Sequence, residues 1–183
     1  QQILAKATGT IIDQVEAMQQ IVADFSQIAK PLETRRQNLQ LNPLLRQIAE
    51  LYREQHLTLD LHDPLGDISA DPVHLRQILI NLMKNAIEAT QNQDAPQIRW
   101  HTSQHNGQIT LDIEDNGPGF SDLNKDPFEP YVTNKPKGTG LGLAIVKKIV
   151  HEHDGTISAG HSRDLGGAKI TITLPLTTTS TTP

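Results

Sequence analysis

The sequence predicts an α+β fold, a two-layer sandwich in which helices cover one face of a mixed β-sheet, preceded by one long helix. Helical apolar spacing recurs in four segments, and alternating apolar spacing predicts five short strands. Most of these strands follow one another or are joined by turns, which favours antiparallel pairing. A chain of 183 residues is long enough for one ordinary domain and an additional helix or two.

The composition narrows the class of protein. Hydrophobic residues make up 36% of the chain but aromatic residues only 3%, so aliphatic side chains must fill the core. A net charge of −5 argues against a nucleic-acid-binding surface. The absence of cysteine excludes disulfides and thiolate metal sites and fits a reducing compartment, so we expect a cytoplasmic location. No apolar run reaches the roughly 18 residues of a membrane span, so any inner-membrane anchor of a longer parent would lie upstream.

The first segment, residues 1–32, carries a helical apolar stripe that ends at Pro31. From Ile11 the stripe alternates steps of four and three residues, the spacing of a helix that pairs with other helices. Two interpretations stand: a helix docked on its own domain, or one helix of a bundle whose partner precedes Gln1. The broad polar face and the sharp end at Pro31 favour the bundle. The stripe comprises Leu4, Ile11, Val15, Met18, Val22, Phe25, Ala29 and Leu32.

The remaining elements are predicted in order over a domain of residues 33–176. Asn42-Pro43 and Asp71-Pro72 each combine a cap residue with proline at the first helical position, and open helices to about Gln55 and Gln91. A third helix is predicted over 140–153. Strands are predicted over 57–61, 97–103, 108–115, 156–160 and 168–174, with a hairpin turn at 106–107. We expect the Thr-rich residues 177–183 to form a disordered tail.

Polar residues form a stripe along the long helix that begins after Asp71. Gln77, Asn81, Asn85 and Glu88 are spaced four, four and three residues apart and therefore share one face. A solvated face normally uses Lys and Glu, and asparagine is a mediocre helix former. Two asparagines one turn apart therefore indicate a shared ligand, and their amide oxygens suit Mg²⁺.

Two glycine-bearing motifs follow. The strand ending at Asp115 puts this carboxylate on the same face as its apolar residues, where it needs a hydrogen-bond donor, and residues 116–119 (Asn-Gly-Pro-Gly) come next. The two alternatives are an aspartate that merely ends a strand and a carboxylate that accepts a hydrogen bond from an adenine amino group. Alternating glycines then open a helix, whose free N–H groups could bind phosphate: Gly138, Gly140 and Gly142.

Taken together, these motifs resemble the GHKL ATPase and kinase superfamily with its Bergerat fold. Within it, the match is to sensor histidine kinases of the nitrogen-regulation branch. Asn81 and Asn85 match the N box, residues 115–119 the G1 box, residues 126–130 (Asp-Pro-Phe-Glu-Pro) the F box, and residues 138–142 the G2 box. The first helix resembles the second helix of the family's dimerisation bundle.

The resemblance implies which residues bind ATP and Mg²⁺. Asp115 would hold the adenine amino group, Gly117 and Gly119 would leave room for the base, and Tyr131 would cover the adenine or ribose. Asn85 would ligate Mg²⁺ with Asn81 joining or supporting it, and Glu88 would be an outer partner. The backbone of Gly138, Gly140, Leu141 and Gly142 would bind the phosphates. Lys135 and Lys137 would add mobile positive charge from an ATP lid. The residues implied in catalysis are Asn81, Asn85 and Lys135.

The resemblance also implies a histidine kinase whose phosphate-accepting histidine is absent from this chain. ATP-hydrolysing relatives usually carry a glutamate base at the position of Asn81, and an amide cannot take a proton. None of the eight histidines has the sequence context of the family's acceptor histidine, so we expect no self-labelling. His151 and His153 are predicted to be surface residues. The implied partners are ATP or ADP, the parent's own dimerisation bundle in a homodimer, and the receiver domain of a response regulator.

Alternatives stay open at this point. One is another member of the same superfamily, either an ATP-hydrolysing enzyme or a serine-directed kinase. Asn81 argues against the ATP-hydrolysing enzyme, and the bundle-like first helix argues against the serine-directed kinase. The other is a nucleotide-sensing interaction module with no transfer activity, which would bind ADP and ATP without phosphorylating an added histidine-bearing bundle.

Overall fold

A computed structural model describes residues 33–122, 125–133 and 138–177, together with five positions of the first segment. Those five positions are helical: Val15, Met18, Gln19, Val22 and Ser26. The apolar ones among them, Val15, Met18 and Val22, are exposed. The rest of the predicted bundle helix, and the end of the predicted tail after Thr177, lie outside the described residues.

The described body contains seven strands and three helices. In chain order they are β1 (Gln37–Leu39), α1 (Leu41–Glu50), β2 (Leu57–Leu61), β3 (Ile68–Ala70), α2 (Pro72–Thr90), β4 (Ile98–His105), β5 (Gln108–Asp115), α3 (Gly142–His151), β6 (Thr156–His161) and β7 (Ala168–Pro175). Among these described helices, none has the length and apolar character needed to cross a bilayer.

The larger sheet is mixed, as predicted. Its five strands lie in the order β2-β4-β5-β7-β6, with β2 parallel to β4 and every other pair antiparallel. The β4–β5 hairpin turns at Asn106 and Gly107, which both have positive φ (50° and 76°), as a tight two-residue turn requires. The small sheet of β1 and β3 was not predicted, because three-residue strands carry no readable alternation.

The two faces of the large sheet differ in chemistry. One face contributes Trp100, Leu111, Ile113 and Ile172 to a core shared with the helices, for example with Leu79. The other face carries charged residues that pair with one another, including the ion pairs of Lys169 with Asp112 and of Arg99 with Glu114. The α+β sandwich with helices on one face is therefore confirmed.

The long helix α2 begins as its sequence predicts, whereas α1 does not. Asp71 caps α2 by accepting hydrogen bonds from the N–H groups of Val73 and His74. Asn42, predicted to cap α1, lies inside it and donates its side-chain N–H to the carbonyl of His62, 2.7 Å away. Helix α1 is also shorter than predicted and ends at Glu50.

The end of the described chain is attached to the body. Thr177, predicted as the first residue of the disordered tail, donates its N–H to the carbonyl of Asp67 at 2.7 Å. Its hydroxyl donates to Asn38 Oδ1 at 3.0 Å. The tail prediction is therefore wrong for Thr177 itself.

Candidate active site

The polar stripe of α2 ends against the G1 loop. Gln77, Asn81 and Asn85 are half-buried, whereas Glu88 is exposed. Ala89 continues the same stripe one turn after Asn85, and a Cβ added to Gly117 would lie 2.8 Å from the Ala89 carbonyl oxygen and 2.9 Å from its Cβ. Only glycine at position 117 allows this approach. The asparagine face of α2 and the G1 loop therefore form one surface.

Asp115 lies where its sequence predicts, on the core side of the sheet at the end of β5, and is only 7% exposed. Its Oδ1 accepts hydrogen bonds from the N–H groups of Gly117, at 2.9 Å, and Ala168, at 3.2 Å. The N–H of Gly167 donates to the Asp115 carbonyl at 3.1 Å. Backbone donors from the G1 loop and from the beginning of β7 thus fix the orientation of this carboxylate.

Gly167 and Gly119 complete the surroundings of Asp115. A Cβ at Gly167 would lie 2.4 Å from the Asp115 carbonyl oxygen, so no larger residue fits without moving β5 or β7. Gly119 has a φ of 69°, and a Cβ there would lie 2.9 Å from Nδ1 of His161. The imidazole of His161 is therefore adjacent to the G1 loop, a placement that the sequence did not indicate.

The G2 residues lie at the beginning of α3. Gly138 is exposed, Gly140 has a φ of 68°, and Leu141 is buried as the residue before the helix. Among the described residues no side chain caps α3. A Cβ added at Gly142 would meet none of the described residues within 4 Å, so space lies open beside the first turn of α3.

The F box is anchored to α3. Phe128 is 6% exposed, and Asp126 Oδ1 accepts a hydrogen bond from its N–H at 2.9 Å. Lys147 of α3 bonds Asp126 Oδ2 at 2.7 Å and lies 3.8 Å from Glu129 Oε1. The hydrogen bond from Lys147 lowers the pKa of Asp126, and the same bond raises the pKa of Lys147.

Tyr131, which follows the F box, has an uncommon backbone conformation. Its φ is 67°, and its side chain is 62% exposed. Lys135 and Lys137, the predicted mobile lysines, lie outside the described residues.

A cavity of about 520 Å³ lies at the beginning of β2 and β4 and contains none of the predicted site residues. It is lined by His56, Leu57, Thr58, Asp94, Ala95, Pro96, Gln97, Ile98, Arg99 and Leu165.

The predicted surface position of His153 is wrong, although that of His151 holds. His153 is 1% exposed, and its Nδ1 lies 2.7 Å from the Ile149 carbonyl, to which it must donate. Its Nε2 then accepts the N–H of Asp71 at 3.0 Å. Burial lowers the pKa of His153, so the imidazole is held neutral in one tautomer. His153 follows α3, where helical spacing no longer indicates which way it points.

The donor chemistry at α2 suits a magnesium ion that arrives with a nucleotide. No group of three or more His, Cys, Asp or Glu residues that could hold a metal occurs within the described part of the chain. The half-buried amide of Asn85 offers one hard oxygen donor. Mg²⁺ commonly takes one or two protein ligands and completes its shell with water and substrate phosphates. The residues present fit that pattern.

Besides His161, three contributors to the site went unpredicted: Gly167, Ala168 and Lys147. Residues 166–167 were interpreted only as a turn, and the adjacent backbone N–H of Ala168 leaves no mark in the sequence. Lys147 is one of two neighbouring lysines on α3, and only the fold shows that it reaches Asp126. The paired glycines were the one signal that could have been followed further.

The family described as "Histidine kinase-, DNA gyrase B-, and HSP90-like ATPase" matches residues 70–178. This stretch holds all the boxes described above and more than half of the chain. The chain belongs to this family. The predicted superfamily is thereby confirmed.

Similarity to curated proteins indicates the branch of the family. The sensor histidine kinase ZraS of Escherichia coli O157:H7 is 33% identical over 177 residues, covering 93% of this chain and 38% of ZraS. The nitrogen regulation protein NtrY of Azorhizobium caulinodans is 33% identical over 182 residues, covering 94% of this chain and 24% of NtrY. The chain therefore spans well under half the length of these relatives.

Solved structures agree with the sequence relatives. Full-length ShkA, crystallised in complex with AMPPNP, gives a TM-score of 0.75 at 27% identity, over 93% of this chain and 38% of that one. The nucleotide-free catalytic domain of histidine kinase ThkA gives 0.69 at 29% identity, over 78% of this chain and 98% of that one. The predicted match to the ATP-binding catalytic domain of sensor histidine kinases is confirmed.

Proposed function

We propose that this domain binds Mg·ATP and transfers the γ-phosphoryl group to a histidine on a helical bundle, for relay to an aspartate of a response regulator. The observation that supports this most directly is the contact of Gly117 with Ala89. It brings the end of β5, which carries Asp115, beside the amide stripe on α2. Adenine and phosphate recognition would then occur on one continuous surface.

Asp115 would recognise the adenine amino group. Its Oδ1 is engaged by the N–H groups of Gly117 and Ala168, which set the plane of the carboxylate. We propose that Oδ2 accepts the exocyclic N–H of adenine, and that Gly119 leaves room for the ring. The neighbouring His161 and the exposed Tyr131 are the side chains that could flank the base.

Asn85 would supply an amide oxygen to Mg²⁺, with Asn81 one turn earlier on the same face and Glu88 as an outer partner. Bound Mg²⁺ would neutralise charge on the phosphate oxygens. The N–H groups at the beginning of α3, between Gly140 and Gly142, would bind the phosphates directly. Lys135 and Lys137 would add positive charge at the reacting phosphate.

Phosphoryl transfer requires mainly positioning and stabilisation of charge. Asn81 has no basic group with which to activate water, which supports transfer to a protein nucleophile over hydrolysis. The attacking atom would be an imidazole nitrogen of the bundle. It would form the N–P bond as the bond to the β,γ-bridging oxygen breaks, and ADP would leave with its magnesium.

The test is calorimetric titration with Mg·ADP of the wild type and Asp115→Asn. The Asn variant can keep its amide oxygen on the N–H groups of Gly117 and Ala168, but it presents an N–H where Oδ2 was. Two donors would then face each other at the base. We expect affinity to fall roughly five- to a hundredfold, the equivalent of about 1–3 kcal/mol.

Asp112→Asn is the matched control, because Asp112 lies on the same strand but faces Lys169 on the opposite side of the sheet. It should lower the free energy of unfolding while leaving Mg·ADP affinity within about twofold of the wild type. Equal affinity for Mg·ADP in the wild type and Asp115→Asn would refute the adenine assignment. No binding by a folded wild type would refute the proposed function itself.

A further inference from the structure

The F box forms a turn that Asp126 closes from both its side chain and its backbone. Asp126 Oδ1 accepts from the N–H of Phe128 at 2.9 Å, and its carbonyl accepts from the N–H of Glu129 at 3.2 Å. The buried ring of Phe128 attaches the turn to the core at one point. A second contact is therefore needed to fix how the turn is oriented around that ring.

Lys147 provides the second contact. Its ammonium lies 2.7 Å from Asp126 Oδ2 and 3.8 Å from Glu129 Oε1, and its side chain is 31% exposed. Asp126 therefore uses one oxygen for the turn and the other for α3. The lowered pKa of Asp126 and the raised pKa of Lys147, both chiefly due to their mutual hydrogen bond, agree with a formed ion pair.

The turn leads into Tyr131, whose backbone contacts the candidate phosphate loop, residues 138–142. The N–H of Tyr131 donates to the carbonyl of Gly140 at 3.0 Å. A Cβ on Gly140 would lie 2.6 Å from the carbonyl carbon of Tyr131, so the two backbones are in direct contact. Tyr131 and Gly140 both have positive φ, and for a bulky residue such as Tyr131 that conformation persists only when its surroundings impose it.

We propose that Lys147 is a positioning residue for the phosphates of the nucleotide. It holds the F-box turn on α3, the turn holds Tyr131 in its strained conformation, and the Tyr131 N–H holds Gly140. The orientation of Gly140 in turn sets the direction of the N–H groups that begin α3. This inference rests on the proposed function, because it assigns those N–H groups to phosphate.

The test compares ligands that differ in their phosphates. Wild type, Lys147→Met, Lys147→Arg and Lys169→Met are titrated with Mg·AMPPNP and with adenosine. Lys147→Met should weaken Mg·AMPPNP about three- to fivefold, the range expected for a partly exposed ion pair, and leave adenosine unchanged. Lys147→Arg, which keeps the charge and the reach, should restore the affinity for Mg·AMPPNP.

Lys169→Met is the matched control. Lys169 is 33% exposed and pairs with Asp112 at 2.8 Å on the other face of the sheet, so its loss should change neither ligand. Equal weakening of adenosine and Mg·AMPPNP in Lys147→Met would mean that the lysine only stabilises the fold, and would overturn the proposal. So would an unchanged affinity for Mg·AMPPNP.

A measurement without ligand separates this inference from the proposed function. Hydrogen exchange of the Tyr131 amide reports its bond to Gly140 directly. Exchange should accelerate in Lys147→Met but not in Lys169→Met, and unchanged exchange in Lys147→Met would overturn the proposal. If the folded wild type bound neither ligand, the proposed function would fail, and with it the phosphate role of Lys147, whatever the exchange showed.

Discussion

Helix α3 holds a neighbouring segment at each of two places, and the two attachments are built differently. In its middle, Lys147 binds Asp126 and Glu129 through exposed charges; we call this the Lys147 clamp. Just beyond its end, His153 binds Asp71 and Ile149 through buried neutral groups; we call this the His153 joint. The clamp lies beside the candidate phosphate loop, whereas the joint lies at the beginning of α2.

Residues at the His153 joint also bind the segment that follows the first helix. Asp71 Oδ2 accepts the N–H of Arg35 at 2.8 Å, and the guanidinium of Arg36 bonds Asp154 and the carbonyl of Glu152. A buried hydrogen bond is expensive to leave unmade, whereas an exposed ion pair exchanges readily with water. The joint therefore suits a permanent connection, and the clamp suits one that can adjust when a ligand binds.

The largest effect should come from removing the buried ring. His153→Ala leaves a cavity and an unpaired Asp71 N–H, and we expect the free energy of unfolding to fall by about 2–4 kcal/mol. His151→Ala, at an exposed position in the last turn of α3, should change it by less than about 0.5 kcal/mol. Urea denaturation measures the free energy of unfolding of both variants. Similarly small losses in His153→Ala and His151→Ala would contradict the proposed difference between the joint and the clamp.

Acid should affect the joint before it affects the clamp. Burial lowers the pKa of His153 below 6.5; Arg36 and His74 act in the same direction, whereas the hydrogen bond to the Ile149 carbonyl and the charge of Asp71 act against it. The unfolded chain then binds the proton more readily, so this contribution to stability is complete above about pH 6.5 and is lost as pH falls toward the folded pKa. Protonation would also put two donors, Nε2 and the Asp71 N–H, face to face.

Denaturation at several values between about pH 8 and pH 5.5 tests this expectation. The wild type should lose stability across that interval, and His153→Gln, which has no titrating group there, should lose less. Lys147→Met should follow the wild-type slope. The Lys147 clamp should not change the pH dependence of stability in this interval. The lowered pKa of Asp126 affects stability only below about pH 3.8, and the raised pKa of Lys147 affects it only above about pH 10.5. Equal slopes for the wild type and His153→Gln would exclude His153 as the titrating group.

The smallest effect should be that of the clamp on stability. Lys147→Met should lower the free energy of unfolding by about 0.2–1 kcal/mol at low salt. In about 1 M salt, where charges are screened beyond roughly 3 Å, the difference from the wild type should shrink. The loss in His153→Ala should persist there, since no exposed charge carries it. A Lys147→Met effect that salt leaves unchanged would point to packing of the lysine stem instead.

The sequence by itself determined the elements and motifs whose signals are local. The cap at Asp71, the turn at 106–107, and the apolar face that carries Asp115 each depend on residues within a few positions of one another. The four boxes were recognisable for the same reason, since each is a short run of residues. The superfamily followed from their order along the chain, and its nitrogen-regulation branch from the run of residues 128–148.

Only the tertiary structure decided which distant groups meet. The backbone of Ala168 reaches Asp115 across 53 positions, Lys147 reaches Asp126 across 21, and His153 reaches Asp71 across 82. Nothing in a histidine that follows a helix distinguishes a buried acceptor from a surface side chain, so His153 was wrongly predicted. Its role depends on where α2 begins relative to α3, and the packing of whole elements sets that distance.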